Sequence, residues 1–91
     1  MSVTVRIPGP LRRITEGEEK VSVGDGTLSS CIAELEDRFP GIKDRLLDEE
    51  NQMRYFVNVY LNGEDVRFLE GLNTPTKDGD ELSIVPAVAG G

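Results

Sequence analysis

The sequence predicts an α+β fold, a mixed sheet of four to five strands wrapped around one main helix. Three observations carry that prediction. Apolar residues alternate with a period of two in "VTVRI", "FVNVYLNG" and "DELSIVPAV", the pattern of strands with one buried face. The period lengthens to three or four over one long stretch, "LSSCIAELEDRF", the pattern of an amphipathic helix. The chain has 91 residues, 37% hydrophobic and 30% charged, which suits one small core and leaves no room for a second domain.

The elements follow in order. Val3, Val5 and Ile7 alternate with Thr4 and Arg6 until Pro8, Gly9 and Pro10 break the run. Alternation resumes at Val21 and Val23 after the polar connection "TEGEEK", so residues 3–7 and 19–23 read as a hairpin with a long loop. Leu28, Cys31, Ile32, Leu35 and Phe39 then share one helical face, and Glu34, Glu36, Asp37 and Arg38 take the other. Thr27 has the chemistry of an N-cap, because its hydroxyl can accept from an orphan first-turn N–H, and Pro40-Gly41 stops the helix. Ile42, Leu46 and Leu47 give a short helical turn, followed by an exposed loop at Asp48 to Glu50.

The strongest strand places Val57, Val59 and Leu61 against Phe56, Asn58 and Tyr60, and ends in Asn62-Gly63, a pair suited to positive φ in a tight turn. A short return strand lies near Val66. A turn at Asp78-Gly79 introduces the last strand, with Leu82 and Ile84 on one face and Ser83 and Val85 on the other. Proline has no N–H for a ladder, so pairing is expected to fade at Pro86. The alternation permits the first and last strands to be central, parallel neighbours, which would make the sheet grasp the helix in the β-grasp arrangement. Residues 1–85 then form the domain and residues 86–91 a flexible tail.

Composition excludes several classes of function. Seventeen acids against ten bases give a net charge of −7, which repels phosphate backbones and anionic lipid. Nucleic acid and membrane are therefore not expected as partners. The acidity suits a basic groove on another protein, or serves solubility alone. No apolar run approaches the roughly 20 residues that span a bilayer and the first residues lack a signal pattern, so a cytoplasmic location is expected. Histidine is absent and cysteine occurs once, which removes Ser-His and Cys-His nucleophile pairs, CxxC sites and internal disulfides. Cys31 reads as a core residue, since no lysine, arginine or histidine lies near it in sequence to favour the thiolate. Asp48, Glu49 and Glu50 read as a solvated loop, and no metal ligand set is expected.

The last six residues, "PAVAGG", carry the functional signal. At about 3.3 Å per residue they extend on the order of 20 Å, enough to enter a deep slot. Gly90 and Gly91 let backbone pass where a Cβ would clash and leave the terminal carboxylate uncrowded. Glycine averages about 7% of residues, so a terminal pair arises by chance about once in 200 chains. The carboxylate of Gly91, ionised at neutral pH, can attack an activated phosphate. Pro86, Ala87, Val88, Ala89 and Gly90 would be the segment a partner grips. If Val57, Val59, Leu61, Leu82 and Ile84 face the helix, Phe56, Tyr60 and Val85 lie on the opposite sheet face. There they either form a docking patch near the departing tail or are covered by loops. Asn58 is expected to satisfy a nearby backbone group.

The terminal "AGG", the preceding "DGDELSIVPAV" and the "FVNVYLNG" strand resemble the prokaryotic ubiquitin-like sulfur carriers. That group, ThiS/MoaD-like, includes the thiamin sulfur carrier and the small subunit of molybdopterin synthase. The likeness spans nearly the whole chain. The "FVN" strand, the "DVRF" segment and the "PAVAGG" ending are most similar to the branch that serves cysteine biosynthesis. The resemblance implies a ubiquitin-like β-grasp fold and a chain that is a cosubstrate rather than an enzyme, monomeric when free, with no cofactor of its own. It implies that an adenylating, E1-like enzyme uses ATP to activate Gly91 and that a sulfur donor displaces AMP, leaving a thiocarboxylate. In the cysteine branch the acceptor is an aminoacrylate on a pyridoxal-phosphate synthase, and a zinc-dependent peptidase releases the product. Two other classes fit the same terminus: a ubiquitin-like modifier joined through Gly91 to lysines, and a permanent small subunit of an enzyme complex.

Overall fold

The computed structural model describes residues 2–86. Its strands are β1 (Ser2–Arg6), β2 (Lys20–Gly24), β3 (Val57–Leu61), β4 (Glu64–Asp65) and β5 (Glu81–Pro86). Its helices are α1 (Leu28–Arg38) and the single turn α2 (Ile42–Leu46). The five strands form one sheet in the order β2-β1-β5-β3-β4. β1 and β5 are parallel at its centre, with Val5 opposite Leu82, and the other pairs are antiparallel. This is the β-grasp order that the alternation permitted.

The pleat explains the core. Cross-strand partners share a face, so Val3 and Val23, Val5 and Val21, Val5 and Leu82, and Val59 and Ile84 all point to the helix side. Each of them is at least nine-tenths buried. α1 answers with Leu28, Cys31, Ile32 and Leu35, all buried. Its N-cap is Thr27, whose Oγ1 accepts from Ser30 N at 3.2 Å. Phe39 is the C-cap, half-buried against the core, where the sequence pattern had placed it on the helix itself. Asn62 and Gly63 have φ of +50° and +90°, which lets the β3–β4 chain reverse in two residues.

The connection after β1 holds more structure than its composition suggests. Gly9–Leu11 form a 3-10 turn whose Leu11 is buried, and Thr15 after it is buried as well. Thr15 stays satisfied because its hydroxyl donates to Glu18 O at 2.9 Å. The turn into α2 is likewise built by a side chain: Glu36 of α1 accepts from Gly41 N and Lys43 N, at 3.1 and 2.8 Å. These two backbone donors, Lys43 first, hold its carboxyl below the usual carboxylate range.

Candidate functional site

Five of the residues singled out by sequence, Ala87, Val88, Ala89, Gly90 and Gly91, lie outside the described residues. The sixth, Pro86, ends β5 and sits in register opposite Val57 of β3. Pairing thus continues one residue further than a missing N–H had suggested. The reason lies in the neighbouring strands. β1 leaves β5 after Arg6 meets Ser83, so the last residues of β5 have a partner on one side only, an edge environment in which proline is tolerated.

That end of β5 shares the outer sheet face with the start of β3. Val85 lies opposite Asn58 and Tyr60 opposite Ser83, all on the side away from α1. Val85 is 44% exposed and Tyr60 is half-buried. Phe56, 38% exposed, is not a strand residue. It occupies the turn closed by Val57 N donating to Arg54 O at 3.0 Å. Its ring meets that of Tyr55 edge-on at 5.3 Å, and the Arg54 guanidinium carbon lies 6.0 Å from its centroid. Of the three residues read as a docking face, two therefore sit on the sheet and the third beside it.

Asn58 corrects its expectation. Its Oδ1 accepts from Arg67 Nη1 at 2.6 Å, a side-chain partner in place of a backbone group. The same guanidinium donates through Nη2 to Arg54 O at 2.7 Å. Arg67 is placed by the 3-10 turn Val66–Phe68, whose N-cap Asp65 accepts from Arg67 N at 2.9 Å. One arginine thus ties the segment after β4 to the turn before β3. None of the described ion pairs involves it.

Sequence reasoning missed further exposed apolar groups in this region. Tyr55 is 91% exposed, Phe68 88% and Leu69 40%. Only five residues of the chain are aromatic, and three of them, Tyr55, Phe56 and Phe68, are exposed. Solubility does not ask for that, so aromatics just outside the period-two run were the available signal.

The other singled-out groups are structural. Cys31 is buried, its Sγ 3.6 Å from Gly24 O and 3.8 Å from Thr76 Oγ1. Burial pushes its thiol pKa up, helped by the charges of Glu34 and Asp25. Asp48 Oδ1 accepts from Glu50 N and Gln52 N at 2.8 and 3.0 Å, so this carboxylate shapes its own loop. Among the described residues no group of three potential metal ligands converges, and no helix is long and apolar enough to cross a membrane.

Comparison with known proteins joins these observations to a lineage. The ThiS family profile matches residues 5–91. The chain belongs to the ThiS family. It is 48% identical to the sulfur carrier protein CysO of Mycobacterium tuberculosis (strain H37Rv) over 93 residues, covering all of both chains. It superposes on a crystal structure of the Amycolatopsis orientalis BexX/CysO complex with a TM-score of 0.92, 52% identity and coverage of 98% of this chain and 99% of that one. It is also 39% identical to the small archaeal modifier protein 3 of Haloferax volcanii over 67 residues, 74% of this chain and 72% of the other. The ubiquitin-like β-grasp fold of this ThiS family member is shared with the solved CysO structures.

Proposed function

We propose that this ThiS family chain is a sulfur carrier whose Gly91 carboxylate is adenylated by a partner enzyme and converted to a thiocarboxylate, with cysteine biosynthesis as the pathway served. One observation carries the reading. The likeness to CysO extends over the whole of both chains, so the body and the terminal residues correspond together. The chemistry follows from the carboxylate. An ionised carboxylate resists nucleophiles, and joining it to AMP supplies a leaving group that a sulfur donor displaces. ATP is spent by the activating enzyme, and the carrier contributes a substrate group and a recognisable body.

The partners expected are an E1-like adenylating enzyme, a sulfur-acceptor enzyme using pyridoxal phosphate, and a zinc-dependent peptidase. Val85, Phe56 and Tyr60 form the docking face, and residues 86–90 the segment inserted into the partner's slot. The A. orientalis complex of CysO with BexX supports the expectation that a carrier of this type binds a second protein. Tyr55 and Phe68 extend the docking face with exposed aromatic anchors.

The test is intact mass spectrometry after incubation with an adenylating enzyme of the family, ATP and a sulfide source. A mass gain equal to replacement of one oxygen by sulfur, located on the last residue by fragmentation, is the expected result. An unchanged mass under conditions that load CysO would overturn the proposal. The likeness to the archaeal modifier favours one second reading, attachment through Gly91 to lysines of other proteins. Isopeptide-linked ladders in the native host would identify it.

A further inference from the structure

We propose that Arg67 is a positioning residue for tail activation: it locks the start of β3 and so fixes the direction in which the chain leaves β5. This inference rests on the reading of Gly91 as the activated residue.

The geometry concentrates on five consecutive residues, 54–58. Arg54 O accepts twice, from Val57 N at 3.0 Å and from Arg67 Nη2 at 2.7 Å. Asn58 Oδ1 takes the second arm of the same guanidinium at 2.6 Å. Arg67 therefore grips both ends of the segment 54–58. The register gives that grip its consequence, because Val57 is the partner of Pro86 and Asn58 the partner of Val85. These are the last two cross-strand pairs before the tail, and β1 no longer supports β5 there.

The turn needs such support. Its two corner residues are Tyr55 and Phe56, side chains with no intrinsic preference for a turn, where glycine, proline, asparagine and aspartate are favoured. Tyr55 is 91% exposed, so burial contributes little to holding it, and Phe56, 38% exposed, meets only the neighbouring Tyr55 ring and the Arg54 guanidinium among the described aromatic and cation-π contacts. Arg54 anchors the other side, its N donating to Leu46 O at 3.0 Å and its Nε to Asp44 O at 2.8 Å. Arg67 directs the two arms of its fork to two neutral oxygens, a geometry that a planar guanidinium presents ready-made and the compact ammonium of a lysine reproduces only in part. Loosening the pairs opposite Val85 and Pro86 leaves the last described residues of β5 less firmly held. Fewer encounters with the partner then carry a correctly aimed tail.

The test compares loading kinetics of the wild-type chain, Arg67→Gln, Arg67→Lys and Asn58→Ala, with the carrier as varied substrate. Arg67→Gln is expected to raise KM by about tenfold, the scale set by loss of charge-assisted hydrogen bonds, with kcat unchanged once the partner holds the tail. Arg67→Lys recovers only part of it. The double variant Asn58→Ala/Arg67→Ala should be no worse than Arg67→Ala alone, since the bond that Asn58 accepts is already lost with Arg67. Val23→Ala, a core change on β2, serves as the stability control and should load with the wild-type KM at temperatures where it is folded. Hydrogen exchange should quicken at the Val57 amide in Arg67→Gln and stay unchanged at Val3 and Val5. Wild-type KM and Val57 protection in Arg67→Gln would overturn the positioning role while leaving Gly91 activation standing. Failure of the wild-type chain to load at all would remove both.

Discussion

Asn62 and Asp80 are joined by a hydrogen bond of 3.0 Å, Asn62 Nδ2 donating to Asp80 Oδ1 across 18 residues of sequence. The same asparagine accepts from Glu81 N at 2.9 Å through its own Oδ1, and its backbone N donates to Glu81 O at 2.9 Å. Asp80 Oδ2 accepts from Lys77 N at 2.9 Å. The β3–β4 turn is thereby bolted to the entry of β5, the strand that carries the chain to its C-terminal end. Asn62→Gly keeps the positive φ and deletes the side-chain bonds, at the added cost of a freer unfolded backbone. It should cost about 1–2 kcal/mol in chemical denaturation, because a mostly buried carboxylate loses one of its two partners and Glu81 N loses its acceptor. An unchanged denaturation midpoint would show the bridge to be energetically idle.

Acid should weaken the fold through the same bridge. Asp80 is held below the usual aspartate range by Asn62 first and the Lys77 amide second, and Glu36 is lowered by the amides of Lys43 and Gly41. A carboxyl with a lowered folded pKa stabilises fully above its unfolded value, near about 4, and that contribution fades as pH falls through the folded value. Asp80→Asn and Glu36→Gln should each melt below the wild type at neutral pH, with the gap closing under acid. Thermal melts across that range provide the check, and a gap constant with pH would contradict it.

Cys31 is a packing residue in this structure, so alkylation should be slow in the native state and fast after unfolding. Cys31→Ala should lower stability by about 1 kcal/mol, the cost of a small core cavity. Sulfur loading should stay at the wild-type level. Loss of loading in a folded Cys31→Ala chain would assign chemistry to the thiol.

Val85 tests the docking face. Val85→Glu places a charge on an exposed position of the outer face and should leave the melting temperature close to the wild type. Binding to the adenylating enzyme should weaken by about tenfold or more if the residue is an anchor, measurable by calorimetry. Equal affinity would move the interface elsewhere on the molecule.

Removal of Gly91 should abolish thiocarboxylate formation with circular dichroism and melting unchanged, since the described core ends before it. Full loading of the shortened chain would require another acceptor group.

By itself the sequence determined the main strands and the main helix, because periodicity records which side chains meet a core, but not the 3-10 turns, one of which begins at Val66, where the return strand had been expected. Val3 and Val5, Leu82 and Ile84, and the stripe from Leu28 to Leu35 needed no coordinates. It also determined the Thr27 cap and the Asn62-Gly63 reversal, where chemistry acts over a few residues. The end in two glycines is the local feature on which the proposed chemistry rests. Tertiary structure alone decided the parallel pairing of β1 with β5, which joins segments almost a whole chain apart and leaves no local mark. It decided that Pro86 stays paired, since only the strand order reveals where β5 lacks its second neighbour. It decided the roles of Asn58 and Arg67 as well. A guanidinium reaches its acceptors through space, and nothing in the eight intervening residues announces which oxygens will be there.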